Sequence, residues 1–228
     1  LVIIGGKEVN EAAFSKRHVV IPTLSNSVKI PEISEESFRR RYKSEKTDII
    51  GIIENKIITE HLTEGIPILD GEKKADIARD IIHISVIERH GKNGNIANGF
   101  VKGFGLKTGA IASTVAHDHH NIVVVGITHS DMAIAVNRLS EIGGGFVVVK
   151  DSVILKELAL PLAGLISMQR FETVRDELID LRRAAQSIGV VLSEPFLQLA
   201  FLALPVIPEL KITDYGLVNV KNFTIIED

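Results

Sequence analysis

The sequence contains no cysteine among its 228 residues. That absence excludes disulfides, thiolate zinc centres and cysteine nucleophiles together. It also excludes the nucleoside-deaminase pattern in which a Pro-Cys-x-x-Cys segment holds zinc. It is compatible with the cytosol. No stretch of about 18 apolar residues is present, so no membrane partner is expected. Basic residues do not exceed acidic ones: 26 Lys and Arg stand against 29 Asp and Glu, a net charge of -3. No nucleic-acid footprint is therefore expected. The G-x-x-x-x-G-K-[ST] phosphate loop, the dinucleotide G-x-G-x-x-G and the G-x-S-x-G nucleophile elbow are all missing. Internal repeats and low-complexity tracts are missing too. What remains is an ordinary composition, 45% hydrophobic and 24% charged, enough for one large domain or two small ones.

The chain opens at Leu1, not Met, directly in an apolar run that ends at Ile4. A secretory signal would carry a basic region first, so a fragment of a larger protein is the expectation. Gly5-Gly6-Lys7 then reads as a tight turn. Residues 1–75 read as a small β-rich segment, with strands at 19–22, 48–53 and 56–62, the last two a hairpin across Asn55. Residues 34–38 read as one helical turn or a loop. The triplet Arg39, Arg40, Arg41 invites a phosphate-binding reading. Adjacent side chains on a helix point in different directions, so a solvated surface is the expectation.

Residues 76–228 have a different texture. Strands are predicted at 81–88, 110–116, 121–127, 146–149, 153–158 and 223–226. The glycine-rich stretch 91–109 reads as turns and close backbone approaches. One helix follows Ser130 as N-cap, with Met132, Ala135, Val136 and Leu139 on one face and Gly143-Gly144-Gly145 at its end. A second spans 172–188. A third begins at Pro195, is apolar nearly all round, and stops before Pro205. The eight-fold alternation of a (β/α)8 barrel is absent. The fold class is α+β: a mixed, largely antiparallel sheet packed against helices.

The sharpest chemical feature is Ala116-His117-Asp118-His119-His120-Asn121, between two predicted strands. His90 follows Glu88-Arg89 at the end of another. In extended chain His117 and His119 project to one face, so they suit a divalent metal with His90 or Glu88 as third ligand. Proton transfer and hydrogen bonding to a polar substrate are rival roles. A polar loop whose histidines cap backbone groups is the bland one.

Longer runs add a resemblance. Glu88-Arg-His-Gly91, Gly99-Phe-Val-Lys-Gly-Phe-Gly-Leu-Lys107, Gly109-Ala-Ile-Ala-Ser113 and Val115-Ala-His-Asp118 resemble the C-terminal region of the adenine deaminases of the amidohydrolase superfamily. So do Asp131-Met-Ala133, Ala135-Val-Asn-Arg138, Gly143-Gly-Gly145, Pro195-Phe196, the run from Phe201 to Lys211, and Thr213-Asp214. The likeness covers about residues 48–228. It implies hydrolysis of adenine to hypoxanthine and ammonia. It also implies that a manganese- or iron-type divalent metal sits in a preceding (β/α)8 barrel, outside these residues, with no metal or other cofactor in this chain. Residues 1–75 would then be the β region and linker after the barrel, and 76–228 the C-terminal domain.

The resemblance further implies a cytoplasmic homo-oligomer, adenine or a related purine as ligand, and a barrel in cis or in trans as partner. His117, Asp118, His120 and Glu88 are the candidates for supporting catalysis. His90, Arg89, Asn121 and Ser113 are the candidates for substrate contact. The family reads Ser where this chain has His119, so His119 is the member of the cluster with least claim to a family role. The alternative is a non-catalytic module that binds a purine or other small ligand, or that serves as a lid or oligomer contact.

Overall fold

Period-two apolar runs build the centre of the computed structural model, which describes residues 1–14 and 26–226. A two-residue hairpin opens the chain, β1 (Ile3–Ile4) and β2 (Lys7–Glu8). The strand expected at 19–22 lies outside the described residues. Then come β3 (Lys46–Ile52), β4 (Thr59–Gly65), a short hairpin of β5 (Ile68–Leu69) and β6 (Glu72–Lys73), β7 (Ile81–Ile87), β8 (Ile96–Lys102), β9 (Ala110–Ser113) and β10 (Ile122–Gly126). The first helix, α1 (His129–Glu141), leads to β11 (Gly145–Lys150) and β12 (Val153–Ala159). After α2 (Phe171–Ser187) and α3 (Pro195–Leu202) the chain ends in β13 (Leu210–Thr213), β14 (Gly216–Asn219) and β15 (Thr224–Ile225).

Eight strands form one sheet in the order β12-β11-β9-β10-β7-β8-β3-β4. Every pairing in it is antiparallel except β3 with β8, so the expected mixed, largely antiparallel α+β fold is what forms. β3 and β4, which precede residue 75, make one edge of this sheet.

Alternation sorts the two faces. Ile122 and Val124 of β10 pack with Met132, Ala135, Val136 and Leu139 of α1. Val123 and Val125, and Ile82, Ile84 and Val86 of β7, pack on the other face with Leu181 and Ala185 of α2 and Leu199 and Leu202 of α3. Leu210, Ile212 and Leu217 of the terminal strands close that layer. Each fully buried Ile, Val or Leu contributes about 2 kcal/mol to folding, which is why β7 is buried along its whole length.

The helix ends follow from local chemistry. Thr128, not the expected Ser130, caps α1 by accepting the Asp131 N–H at 3.2 Å. Gly144 donates back to the Leu139 carbonyl at 2.7 Å, and Gly143, with φ of 77°, makes the left-handed exit that glycine allows. α3 begins on Pro195, whose missing N–H has no partner to lose there.

The largest departure from the sequence reading lies in the glycine-rich stretch. Residues 96–102 form β8, a central strand, not a run of turns. Gly99 has a packing reason to lack a side chain. A Cβ there would come within 3.3 Å of Leu217 in the β13–β14 hairpin, which covers the strand.

Candidate functional site

Register brings the two motif loops together. Ile87, the last residue of β7, pairs with Ile122, the first of β10. The segment leaving β7 and the segment entering β10 therefore emerge from the same end of the sheet. His90 Nε2 lies 2.8 Å from the His119 carbonyl, so the segments touch directly.

Arg89 fastens them. It is 1% exposed, and its guanidinium reaches into the domain, not outward. Nε donates to the His120 carbonyl, Nη1 to Ser27 Oγ at 3.0 Å and Nη2 to the Ala163 carbonyl at 3.0 Å. Its backbone carbonyl accepts the Lys29 N–H at 2.8 Å. One buried side chain thus joins four separate segments. Gly164 is small for the same reason: a Cβ there would meet the guanidinium at 2.9 Å. Burial lowers the pKa of Arg89 from its ordinary value.

Glu88 does a different job from the one expected of it. A carboxylate at this position could orient a histidine ring through a hydrogen bond. Instead its Oε1 accepts the His90 N–H at 2.5 Å, and Oε2 accepts those of Lys92, Asn93 and Gly94 at 2.9, 3.2 and 3.1 Å. Four converging N–H groups saturate a carboxylate, so none of it is left for an imidazole. Burial alone would raise the Glu88 pKa, but those four donors together hold it below the usual carboxylate range. Asp118 is exposed, and among the described residues no hydrogen bond joins it to a histidine either.

Asn121 and Ser113 are also inside. Asn121 donates from Nδ2 to Asp214 Oδ1 at 3.1 Å, and Asn93 reaches the other oxygen of Asp214 at 3.0 Å. Asp214, in the turn between β13 and β14, so clamps both loops. Sequence reasoning missed it, although Thr213-Asp214 stood among the family-like runs. Ser113 is fully buried and closes a turn, its Oγ accepting the Val115 N–H at 2.8 Å.

The side chains that reach the surface are His90, His117, Asp118 and His120. The His117 ring packs 5.7 Å from Phe201 of α3 and meets His120 edge-on at 6.1 Å. His120 Nδ1 accepts the Ala116 N–H at 3.3 Å, which leaves the ring proton on Nε2. Burial, then His117 and Arg89, lower the His120 pKa, against a smaller opposite pull from Asp118. The ring is neutral at neutral pH and able to donate or accept a hydrogen bond. His119 turns inward. Its Nδ1 accepts the Asn121 N–H at 3.0 Å, the same i to i+2 bond that a serine hydroxyl makes. A Ser at this position would keep that bond. Among the described residues its buried Nε2 has no partner in hydrogen-bonding geometry, and burial lowers its pKa.

This donor set does not suit a metal. Two of the ring nitrogens are spent on backbone N–H groups, and one lies on a backbone carbonyl. Among the described residues no three His, Asp or Glu side chains converge as ligands. No helix among them is long and apolar enough to cross a membrane.

A three-layer α+β domain, with a rigidly tied polar loop cluster at one end of its sheet, defines the class. The particular family follows from comparison. Residues 56–224 match the model of the adenine deaminase C-terminal domain, and the chain belongs to that family. It is 58% identical to an adenine deaminase of Cereibacter sphaeroides over 226 residues. It is 55% identical to an adenine deaminase of Brucella anthropi and to adenine deaminase 1 of Rhizobium johnstonii. Each alignment covers 99% of this chain but only 40% of the relative, so the chain spans about two fifths of the length of these curated relatives.

Proposed function

We propose that this chain is the C-terminal domain of a cytoplasmic, homo-oligomeric adenine deaminase, which adds water to adenine and releases hypoxanthine and ammonia. The nucleophilic water is generated on an amidohydrolase barrel, in cis or in trans, outside these residues. The manganese- or iron-type metal belongs to that barrel, since the donor set here does not fit one. Residues 1–75 serve as the β region and linker, and 76–228 as the domain proper.

The observation that carries the reading is the pinned loop pair, which presents His90, His117, Asp118 and His120 together on an open surface. A surface of this kind becomes a site when a second surface closes over it and excludes water. His120, neutral with its proton on Nε2, is suited to hydrogen-bond a purine nitrogen or to hand a proton toward the leaving amino group. Glu88, Arg89, Ser113 and Asn121 act as positioning residues, through the loops they hold.

The test is ammonia release from adenine. The full-length protein carrying this chain should release it. The 228-residue chain alone, supplied with manganese or iron, should not. Failure of the full-length protein refutes the adenine reading, and turnover by the chain alone refutes the division of labour.

A lid or oligomer-contact role has its own support. An open, mostly apolar groove of about 610 Å3 is lined by Val115, Phe146, Leu160, Ile166, Phe171 and Leu178. Val115 lies two residues before His117. Docking of another protein surface there would reach the loop cluster directly.

A further inference from the structure

Helical spacing gathers one side of α3 into a pocket. Glu194, Leu197, Gln198 and Phe201 stand at i, i+3, i+4 and i+7, so they share a face of the helix. With Leu192 and Ser193 just before the helix, and Glu54-Asn55 in the turn between β3 and β4, they line a pocket of about 130 Å3. No Lys, Arg or His lines it.

The helix and the turn are already joined. Gln198 Nε2 donates to the Lys56 carbonyl at 3.2 Å, and Ser193 Oγ donates to Asn55 Oδ1 at 3.3 Å. Gln198 is 5% exposed, yet only half of its amide is used. The nitrogen is spent on Lys56, while Oε1 accepts no hydrogen bond among the described residues. It is left for a donor that enters the pocket. Glu54 is weakly served too. Its Oε1 accepts the Ser193 N–H at 3.4 Å and meets Ser193 Oγ at 3.5 Å, both long, and no ion pair reaches it among the described residues. Glu194 differs, since Arg182 neutralises it at 2.9 Å. Phe201 supplies an aromatic wall, anchored where the Lys211 ammonium donates to its carbonyl at 2.9 Å.

Two acceptors call for N–H donors, a lone carboxylate calls for positive charge, and an aromatic ring takes a flat partner. An amidinium edge offers a carboxylate two parallel N–H groups, as a guanidinium does. A planar cation also stacks favourably on a phenyl ring. The pocket is smaller than the roughly 300 Å3 lower bound of drug-sized pockets, so it admits one small ring system. We infer that the pocket between α3 and the β3–β4 turn binds a small planar base with a cationic, amidine-type N–H edge, with Glu54 and Gln198 as its acceptors and Phe201 as its aromatic wall. The pocket shares no residue with the histidine loops, and it stands whether or not they serve adenine.

Isothermal titration of the full-length protein at low ionic strength tests it, with benzamidine and 2-aminobenzimidazole as cationic probes and benzamide as the neutral counterpart of benzamidine. Saturable one-to-one binding of benzamidine, at least about tenfold tighter than that of benzamide and weakened at least about tenfold by Glu54→Gln, supports the site with a single-ring ligand. The same sensitivity to Glu54→Gln shown only by 2-aminobenzimidazole supports it with a fused-ring ligand. Leu197→Arg, which sets a cation at the pocket, should abolish the same binding. Glu54 and Leu197 are both exposed, so each variant should melt with the wild type and turn over adenine as before. No saturable binding of either cation overturns the inference, as does binding that Glu54→Gln weakens by less than that factor. Saturable binding of benzamide as tight as that of benzamidine overturns it too, by making the pocket an apolar dent that reads no charge.

Discussion

His83 makes the stability of this domain depend on pH in a way that one substitution should reveal. It sits on β7, on the face covered by α1, and is 8% exposed. Its ring lies tilted against its neighbours, with centroids 4.5 Å from that of His129 and 5.0 Å from that of Phe100. Burial, then the charges of His129 and Lys74, push its pKa down from 6.5 to about 3. The unfolded chain keeps the ordinary imidazole value. The native state therefore refuses a proton that the unfolded state accepts between these two values. Stability is fully present above the unfolded pKa and falls as pH drops below it, until the folded pKa is reached.

At about pH 5 the unfolded state gains roughly 1.5 units of binding that the native state lacks. At about 1.4 kcal/mol per unit, the loss relative to pH 7.5 is about 2 kcal/mol. Chemical denaturation of wild type and His83→Leu at both pH values measures it. The variant should lose about 2 kcal/mol less than wild type on acidification. The other low-pKa histidines, His119, His120 and His129, contribute with the same sign in both proteins and cancel in the difference. Equal losses would refute the claim that His83 is neutral in the folded domain.

Three further substitutions probe the scaffold of the loop cluster. Arg89→Met strands the oxygens of Ser27, His120 and Ala163, at about 1–3 kcal/mol each, offset in part by the guanidinium's lost burial penalty. A net loss of about 2–4 kcal/mol is expected, with faster amide hydrogen exchange at residues 117–121. Glu88→Gln places an amide NH2 against N–H donors and should cost about 2 kcal/mol by denaturation. Because the folded Glu88 pKa is lowered, its stabilisation is present above the ordinary carboxylate pKa and lost as pH falls through the folded value, a loss the Gln variant should not show. Gly145→Ala would set a Cβ 1.9 Å from the Leu158 carbonyl at a φ of 134°. It should cost about 3 kcal/mol or more, seen as a large drop in the denaturation midpoint.

Much of the fold was legible because burial writes itself into periodicity. The density of β-branched apolar residues in β7 announced a buried strand, and Val174, Leu178, Leu181, Ala185 and Ile188 announced the inward face of α2. β8 stayed hidden because Gly99 lacks a side chain for a reason 118 residues away, the packing of Leu217. β13 and β14 hid because each is only four residues long, too short for a period to show. At the site, the pairing of the two motif loops was readable from their positions at strand ends. Which residues point inward was not. Arg89 looked like a ligand-contacting cation, yet its partners, Ser27, His120 and Ala163, are scattered along the chain and appear only once it folds. Asp214 was invisible as a clamp for the same reason.

The central claim is that the surface side chains of this cluster take part in adenine deamination. The direct measurement is kcat/KM for adenine in the full-length enzyme carrying His117→Ala, beside Asp118→Asn and His120→Gln. A fall of at least tenfold in kcat/KM, at unchanged melting temperature, is the predicted result. Wild-type turnover in all three variants would contradict the account and leave the histidine loops a structural feature of the domain.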